Sequence, residues 1–142
     1  MFKLSVKVEY GILAVLALSL HEERGAGTLS VRSIAEKERL SIRFLEQAMN
    51  DLKERGVIGS VRGPRGGYHL LKSPREITLS DVILAVEGLR ESSVSSSKPK
   101  ILNEIVDEVD TALEGHLQAI DFDTLSRRAR ELTDKEALMF YI

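Results

Sequence analysis

Apolar side chains recur at helical spacing between residues 41 and 55. The spacing i, i+3, i+4, i+7 describes one face of an α-helix, and the residues on it are Leu45, Ala48, Met49 and Leu52. Ser41 is a favourable N-cap, and Gly56 can adopt the left-handed conformation that ends many helices. The pattern predicts a helix over residues 41–55 whose other face is polar and formed by Arg43, Glu46, Gln47, Asn50 and Lys53.

A short hairpin is predicted directly after this helix. Residues 57–62 and 68–72 have strand character, and the loop GPRGG at residues 63–67 can only be tight. A loop with few side chains can approach a phosphate backbone closely, while Arg62 and Arg65 supply positive charge. A helix followed by a glycine-rich basic hairpin is typical of the recognition helix and wing of a winged helix-turn-helix protein. The pattern therefore predicts DNA binding.

Two earlier helices complete this predicted domain. The first spans residues 5–23, with a core stripe of Tyr10, Leu13, Ala14, Ala17 and Leu20, and the second spans residues 31–38 after the N-cap Ser30. The apolar run at residues 11–20 imitates a signal peptide, but no small-residue cleavage site follows it, and it is too short to span a bilayer. We expect a cytoplasmic protein with no membrane partner.

The second half of the chain has a different pattern. A helix capped by Thr78 or Ser80 ends at Gly88, and the serine-rich residues 91–100 predict a mobile loop. A long amphipathic helix over residues 99–120 is too apolar to stand alone, so it is predicted to dimerise or, alternatively, to pack on its own domain. The predicted dimerisation residues are Ile101, Leu102, Ile105, Val109 and Leu113. A last helix, residues 123–132, precedes the tail.

These patterns divide the chain into a DNA-binding domain at residues 1–88, a flexible loop at 89–100, and a dimerisation helix with a C-terminal tail at 101–142. Charge follows the same division. Residues 1–75 hold 13 Lys and Arg against 8 Asp and Glu, whereas residues 76–142 hold 7 Lys and Arg against 14 Asp and Glu. The net charge of the 142 residues is −2. A basic first half suits a polyanion, and an acidic second half suits other contacts. Chance clustering of charge remains the alternative explanation.

Cofactor and enzyme chemistry have little support in the sequence. The chain has no cysteine, which excludes disulfides and thiolate metal sites. His21, His69 and His116 are too far apart for a metal-ligand motif, and no nucleophile–base set or paired carboxylates stand out. We therefore predict no cofactor, no metal and no enzymatic activity.

Four short motifs together resemble the Rrf-two family of bacterial winged-helix regulators. They are LSVKVEYG at residues 4–11, FLEQ at 44–47, SVRGPRGGY at 60–68 and ITLSDVI at 77–83. The resemblance implies a wing arginine at Arg62 that enters the minor groove, and an approach of helix 1 to the DNA backbone. The predicted DNA-binding residues are Ser5, Lys7, Ser41, Arg43, Phe44, Glu46, Gln47, Arg62, Gly63, Pro64 and Arg65.

The chain departs from the cluster-binding members of that family at one place. Those members carry three cysteines in the loop before the long helix, where this chain has Ser92, Ser93, Ser95, Ser96 and Ser97. Serine hydroxyls do not replace thiolates as iron ligands, so an iron–sulfur cluster is not expected unless the natural chain has cysteines there.

The C-terminus carries a second resemblance, to the cysteine-metabolism repressors within the family, which also end in Met-Phe-Tyr-Ile. The resemblance implies docking to cysteine synthase through Phe140, Tyr141 and Ile142, and the alternative is a tail that packs or frays. The overall hypothesis is a mostly α, dimeric DNA-binding transcriptional regulator, expected to repress by reading a pseudo-palindromic operator. The competing hypothesis is a protein-interaction module that acts through the acidic second half and Ile142.

Overall fold

The computed structural model describes residues 2–25, 27–88 and 94–140, with the exception of the side chain of Phe140. In chain order the elements are α1 (Val6–Glu23), α2 (Val31–Glu38), α3 (Ile42–Glu54), β1 (Ile58–Val61), β2 (Gly67–Leu70), a one-turn 3-10 helix (Pro74–Glu76), α4 (Leu79–Glu87), α5 (Lys100–Ala119) and α6 (Phe122–Phe140). The prediction of a mostly helical winged helix-turn-helix is confirmed. The strands are shorter than predicted, with Ile58 paired to Leu70 and Val61 to Gly67 in antiparallel register.

Helix α1 lies at the centre and packs against α3, α4 and α6. Of its predicted core stripe, Ala14 and Ala17 are buried, but Tyr10, Leu13 and Leu20 are only half-buried. The deepest positions also include three residues outside that stripe, namely Val8, Val15 and Leu18. Since α1 is apolar around most of its circumference and contacts three helices, spacing alone does not select its buried face. None of the described helices is long and apolar enough to cross a membrane.

Side-chain caps begin several of the helices. Ser5 caps α1 and Ser30 caps α2, each by accepting a backbone N–H bond. At α4 the sequence leaves two candidates, and the structure selects Thr78, whose Oγ1 accepts the Asp81 N–H at 3.1 Å while Asp81 Oδ2 accepts the Thr78 N–H at 3.0 Å. Ser80 instead donates to Glu114 of α5 at 2.6 Å.

Gly11 allows α1 to approach α4 closely. A Cβ atom at this position would lie 2.9 Å from Cγ2 of Val86 and 3.4 Å from Cγ1 of Val82. Such a contact is too short for a real side chain, so the packing of these two helices requires a glycine here. The resulting core also includes residues of α3, β1 and β2.

The segment between α5 and α6 is hydrogen-bonded to the segment that leads into α4. The N–H of Leu79 donates to Ile120 O at 2.9 Å, and the N–H of Phe122 donates to Ile77 O at 2.9 Å. The side chain of Phe122 is fully buried. The sequence analysis did not predict this core residue, because it began the last helix one position later.

The long helix α5 matches its prediction within a residue at each end, but α6 does not match the predicted range of 123–132. It continues to Phe140, so residues 137–140 belong to the helix, while Tyr141 and Ile142 lie outside the described residues. Residues 131–140 contain neither Pro nor Gly and are mostly good helix formers, which explains the extension.

The predicted mobile loop is only partly described, because residues 89–93 lie outside the described ranges. In the described part that follows, the side-chain amide of Asn103 in α5 makes two hydrogen bonds to the backbone of Ser95. Asn103 Oδ1 accepts the Ser95 N–H at 3.1 Å, and Asn103 Nδ2 donates to Ser95 O at 2.8 Å. The mobility of the loop as a whole stays a prediction.

Candidate nucleic-acid interface

Helix α3 has one buried apolar stripe and an exposed face that is mostly polar. The four predicted apolar positions are fully buried, namely Leu45, Ala48, Met49 and Leu52. Arg43, Phe44, Glu46 and Gln47 are exposed, and they occupy the first turns of the helix, as predicted from the sequence. Because the buried stripe fixes the rotation of the helix about its axis, these side chains are directed outward as one surface.

Two contacts from Tyr10 of α1 fix the beginning of this helix. Its hydroxyl accepts the backbone N–H of Ser41 at 3.4 Å, and its ring packs edge-on against Phe44, with centroids 6.4 Å apart and an interplanar angle of 86°. Phe44 is nevertheless 53% exposed. Tyr10 was expected to be a core aromatic, and no local pattern in the sequence indicates this second role.

Ser41 precedes α3 in the N-cap position but makes no side-chain cap bond. Its hydroxyl group is therefore not used to begin the helix, unlike those of Ser5 and Ser30. The turn before it is tight, since Arg39 has a left-handed backbone with φ of 55° and the Leu40 N–H donates to Ala35 O at 2.9 Å. This turn sets the angle between α2 and α3.

The wing tip is a compact turn in which glycine is required. The N–H of Gly66 donates to Gly63 O at 2.9 Å, and a Cβ atom on Gly66 would lie only 2.2 Å from Val61 O. Arg62, Pro64 and Arg65 lie on the outside of this turn and are exposed. The tip therefore presents a thin edge with an arginine on each side of Gly63 and Pro64.

The base of the wing is attached to the loop between α1 and α2. Leu29 and Tyr68 exchange two backbone hydrogen bonds, at 2.9 and 2.8 Å, and Thr28 Oγ1 donates to Arg65 O at 2.8 Å. Gly67 permits this approach, because a Cβ atom there would lie 2.8 Å from the Leu29 carbonyl. Leu29 therefore pairs with β2 like a short third strand, and the wing is not an isolated hairpin.

The cations of this surface are available for a ligand. Within the part of the chain that the structure describes, Arg43, Arg62 and Arg65 form no ion pair. Lys7, which the sequence analysis also assigned to the interface, differs, because its ammonium group pairs with Asp51 of α3. Ser5 lies at the start of α1, where its Oγ accepts the Val8 N–H at 3.2 Å.

The predicted dimerisation residues fall into two groups. Ile101, Leu102, Ile105 and Val109 are 63%, 46%, 50% and 60% exposed, respectively. Leu113 instead is half-buried and packs against the core of its own domain, next to the buried Leu117. Helix α5 thus packs on its own domain at its C-terminal end and is exposed over its first turns, while dimerisation through these turns stays a prediction.

The described residues do not fit an iron–sulfur cluster. Ser95 and Ser97, in the loop where cluster-binding relatives have cysteines, bond to each other through their hydroxyl groups at 2.7 Å. Across residues 2–25, 27–88 and 94–140, no three His, Asp or Glu side chains form a group that could hold a metal ion. Ser92 and Ser93 lie outside these ranges.

A recognition helix with an exposed polar face, followed by an anchored basic wing, defines a winged helix-turn-helix DNA-binding protein. Comparison with known families specifies the class further. The Rrf2 family, described as "Iron-dependent Transcriptional regulator", matches residues 4–128, and the chain belongs to this family. It is therefore a DNA-binding transcriptional regulator and not an enzyme.

Individual relatives agree with the family assignment. The HTH-type transcriptional regulator CymR of Bacillus subtilis is 34% identical over 143 residues, which cover 99% of both chains. The regulator IscR of Photorhabdus laumondii is 39% identical over 85 residues, or 60% of this chain and 51% of the relative.

Solved structures give the same two names. The structure of CymR, the global cysteine regulator of B. subtilis, matches with a TM-score of 0.81 at 30% identity. The match covers 90% of this chain and 98% of the other. IscR of T. potens has a TM-score of 0.77 at 33% identity, over 92% and 90% of the two chains.

Proposed function

We propose that this regulator reads its operator with the exposed face of α3 in the major groove and with the wing on the adjacent minor groove. The observation that supports this proposal is that these two elements expose polar and charged side chains that form no ion pair with the other described residues. Arg43, Glu46 and Gln47 are residue types that bond to base edges, whereas Arg62 and Arg65 suit phosphates and a narrow minor groove. Ser41, whose hydroxyl caps nothing, is placed to donate to a phosphate.

Phe44, Gly63 and Pro64 contribute shape to this proposed interface. Phe44 presents an apolar edge beside Arg43 and Gln47, which suits contact with a thymine methyl group. Gly63 and Pro64 keep the wing tip thin, so that the flanking arginines reach the groove. Ser5 is exposed at the start of α1, and we propose that its hydroxyl group donates to the DNA backbone.

We further propose that two copies associate through the exposed first turns of α5 and read a pseudo-palindromic site. The apolar side chains of these turns are about half exposed or more, and their burial against a second copy would stabilise the dimer. Charge favours an antiparallel pair: with Ile105 on the two-fold axis, Ile101 faces Val109 of the partner subunit, and Lys100 faces Asp110 of the partner subunit. Parallel helices would instead align the acidic positions with each other.

Binding to DNA is tested by fluorescence anisotropy with a duplex from the chain's own upstream region and a scrambled duplex of equal composition. We expect tighter binding to the first duplex, and an affinity that falls steeply with salt because each neutralised phosphate contributes a slope of about −0.9 in log K against log salt. Equal affinity for the two duplexes would contradict sequence-specific regulation. Repression, rather than activation, is expected when the site overlaps a promoter, and a reporter assay decides between them.

A second candidate function is control by cysteine synthase through the C-terminus. Its support is the similarity to CymR over the whole length, together with the exposure of Leu138 and Met139 at the end of α6, 65% and 78% respectively. These exposed side chains are available to a partner, and the proposal assigns the docking contact to Phe140, Tyr141 and Ile142, of which only the backbone of Phe140 is described. The regulator would then work in the cytoplasm, where that enzyme and the DNA meet.

Removal of residues 139–142 tests this second function. We expect the shortened chain to lose binding to cysteine synthase in a calorimetric titration while it keeps its oligomeric state and its operator affinity. Leu132→Ala, on the same helix and also exposed, is the matched control and should bind the enzyme normally. Full retention of enzyme binding by the shortened chain would remove the tail from the mechanism.

A further inference from the structure

Lys7 is the one predicted DNA-binding residue that the structure engages in an internal ion pair, among the described residues. Its ammonium group contacts Oδ2 of Asp51, which lies in the last turn of α3. That oxygen has almost no exposure and accepts no hydrogen bond from the other described residues. The ammonium group of Lys7 therefore supplies the counter-charge of this oxygen, which water does not reach, while the Asp51 side chain as a whole is 27% exposed.

A second contact between α1 and α3 lies on the same faces of the two helices. Tyr10 follows Lys7 by three residues and so shares its face of α1, while Phe44 precedes Asp51 by seven residues and shares its face of α3. Tyr10 contacts Phe44 and the N–H of Ser41 at the start of α3. Together the two α1 residues hold both ends of the recognition helix.

We propose that Lys7 is a positioning residue, which orients the recognition helix through Asp51 and keeps this partner when DNA binds. The inference rests on the proposed mode of DNA recognition and assigns Lys7 a different role from that of a phosphate ligand. If Lys7 moved to a phosphate, Oδ2 of Asp51, whose side chain is 27% exposed, would lose its counter-ion and lie close to a polyanion. Such a state is unfavourable, because a partly desolvated carboxylate loses an attractive charge while the repulsive phosphate charges approach.

The two roles predict opposite effects for Asp51→Asn. If Lys7 is a phosphate ligand, this substitution releases it from Asp51 and removes a negative charge, so DNA binding becomes tighter. If Lys7 positions α3, the same substitution loosens the recognition helix and weakens specific binding. Lys7→Met keeps most of the aliphatic stem and removes the ammonium group, so it separates charge from packing.

The experiment compares wild type, Lys7→Met, Asp51→Asn and the double variant on the operator duplex and on a scrambled duplex, each over a salt series. We expect each single variant to weaken operator binding about 3- to 30-fold, with the double variant no weaker than the worse single one. Scrambled-duplex affinity and the salt slope should stay unchanged. Lys135→Met, an exposed residue of α6, removes the same charge and should leave operator affinity unchanged.

Tighter operator binding by Asp51→Asn would overturn the proposal, and so would a salt slope reduced by about 0.9 per bound subunit in Lys7→Met, since both results indicate a phosphate contact. Amide chemical shifts of the free protein provide a readout that does not depend on DNA. We expect both variants to move the signals of the same residues in Ile42–Glu54, whereas Lys135→Met does not.

Unmoved α3 signals in both variants would contradict a positioning role. The failure of this inference is distinguishable from failure of the proposed function. A wild-type chain that does not discriminate between duplexes contradicts the proposed function, while the amide shifts still decide whether Lys7 holds α3.

Discussion

Helices α3 and α5 carry the same kind of apolar stripe and place it in different surroundings. The stripe of α3 is completely buried inside its own domain, whereas four apolar residues in the first turns of α5 are about half exposed or more. Both stripes follow helical spacing, so periodicity predicts the helix in each case but not its partner. An apolar stripe that its own domain leaves exposed is available to a second molecule, which is the basis of the dimer proposed above.

The difference has a structural cause. Helix α3 lies among α1, α2, α4 and β1, so its stripe is enclosed on several sides. Helix α5 packs mainly on α4, near Leu113, Leu117 and the bond from Ser80 to Glu114. Its first turns extend beyond that contact, with the loop end held by Asn103.

The largest expected effect comes from a charge placed at the centre of the exposed stripe. In Ile105→Glu, the proposed dimer would bury two like charges at its axis, at a cost of about 3–5 kcal/mol for each unpaired charge. We expect monomers in sedimentation velocity, intact helical content, and loss of tight operator binding. Thr111→Glu, on an exposed part of the same helix, should stay dimeric. A dimeric Ile105→Glu variant would locate the association elsewhere.

Truncation to alanine distinguishes the two stripes through protein stability. Leu52→Ala creates a cavity in the core and should lower the free energy of unfolding by about 2–5 kcal/mol at every protein concentration. Ile105→Ala should cost under about 0.5 kcal/mol in dilute protein, where the monomer is measured, and more as the concentration rises. Urea unfolding at several concentrations provides both values. If both variants lost the same free energy of unfolding at every protein concentration, the stripe of α5 would already be buried within one chain.

A smaller loss than that of Leu52→Ala is expected in the wing, which belongs to neither stripe. Arg62→Ala should reduce operator affinity by about 1–3 kcal/mol and leave dimerisation and unfolding unchanged, because the side chain is exposed and unpaired. Arg75→Ala is a matched control, since this arginine is also exposed but faces Asp123 of α6. Unchanged operator affinity in Arg62→Ala would exclude the wing from recognition.

Local sequence patterns predict much of the interface. The bounds of α2, the buried stripe of α3, the cap at Ser30 and the tight tip of the wing follow from signals that act over a few residues. The exposed face of α3 follows from the same periodicity, because burying one side of a helix leaves the other to solvent.

Contacts between distant segments could not be predicted in this way. The attachment of the wing through Thr28 and Leu29, and the hold of Tyr10 on Ser41, join residues more than 30 positions apart. The same holds for the burial of Phe122, which depends on the junction of α5 and α6 with the start of α4.

The sequence by itself determined the winged helix-turn-helix order of elements, the basic wing and the absence of thiolate ligands, since each depends on residue type and local spacing. Only the tertiary structure decided which face of α1 is buried, where the stripe of α5 leaves its own domain, and that Lys7 pairs with Asp51. The physical reason is that burial and ion pairing depend on which helices meet. Periodicity specifies that a helix has an apolar face, but packing specifies what that face contacts.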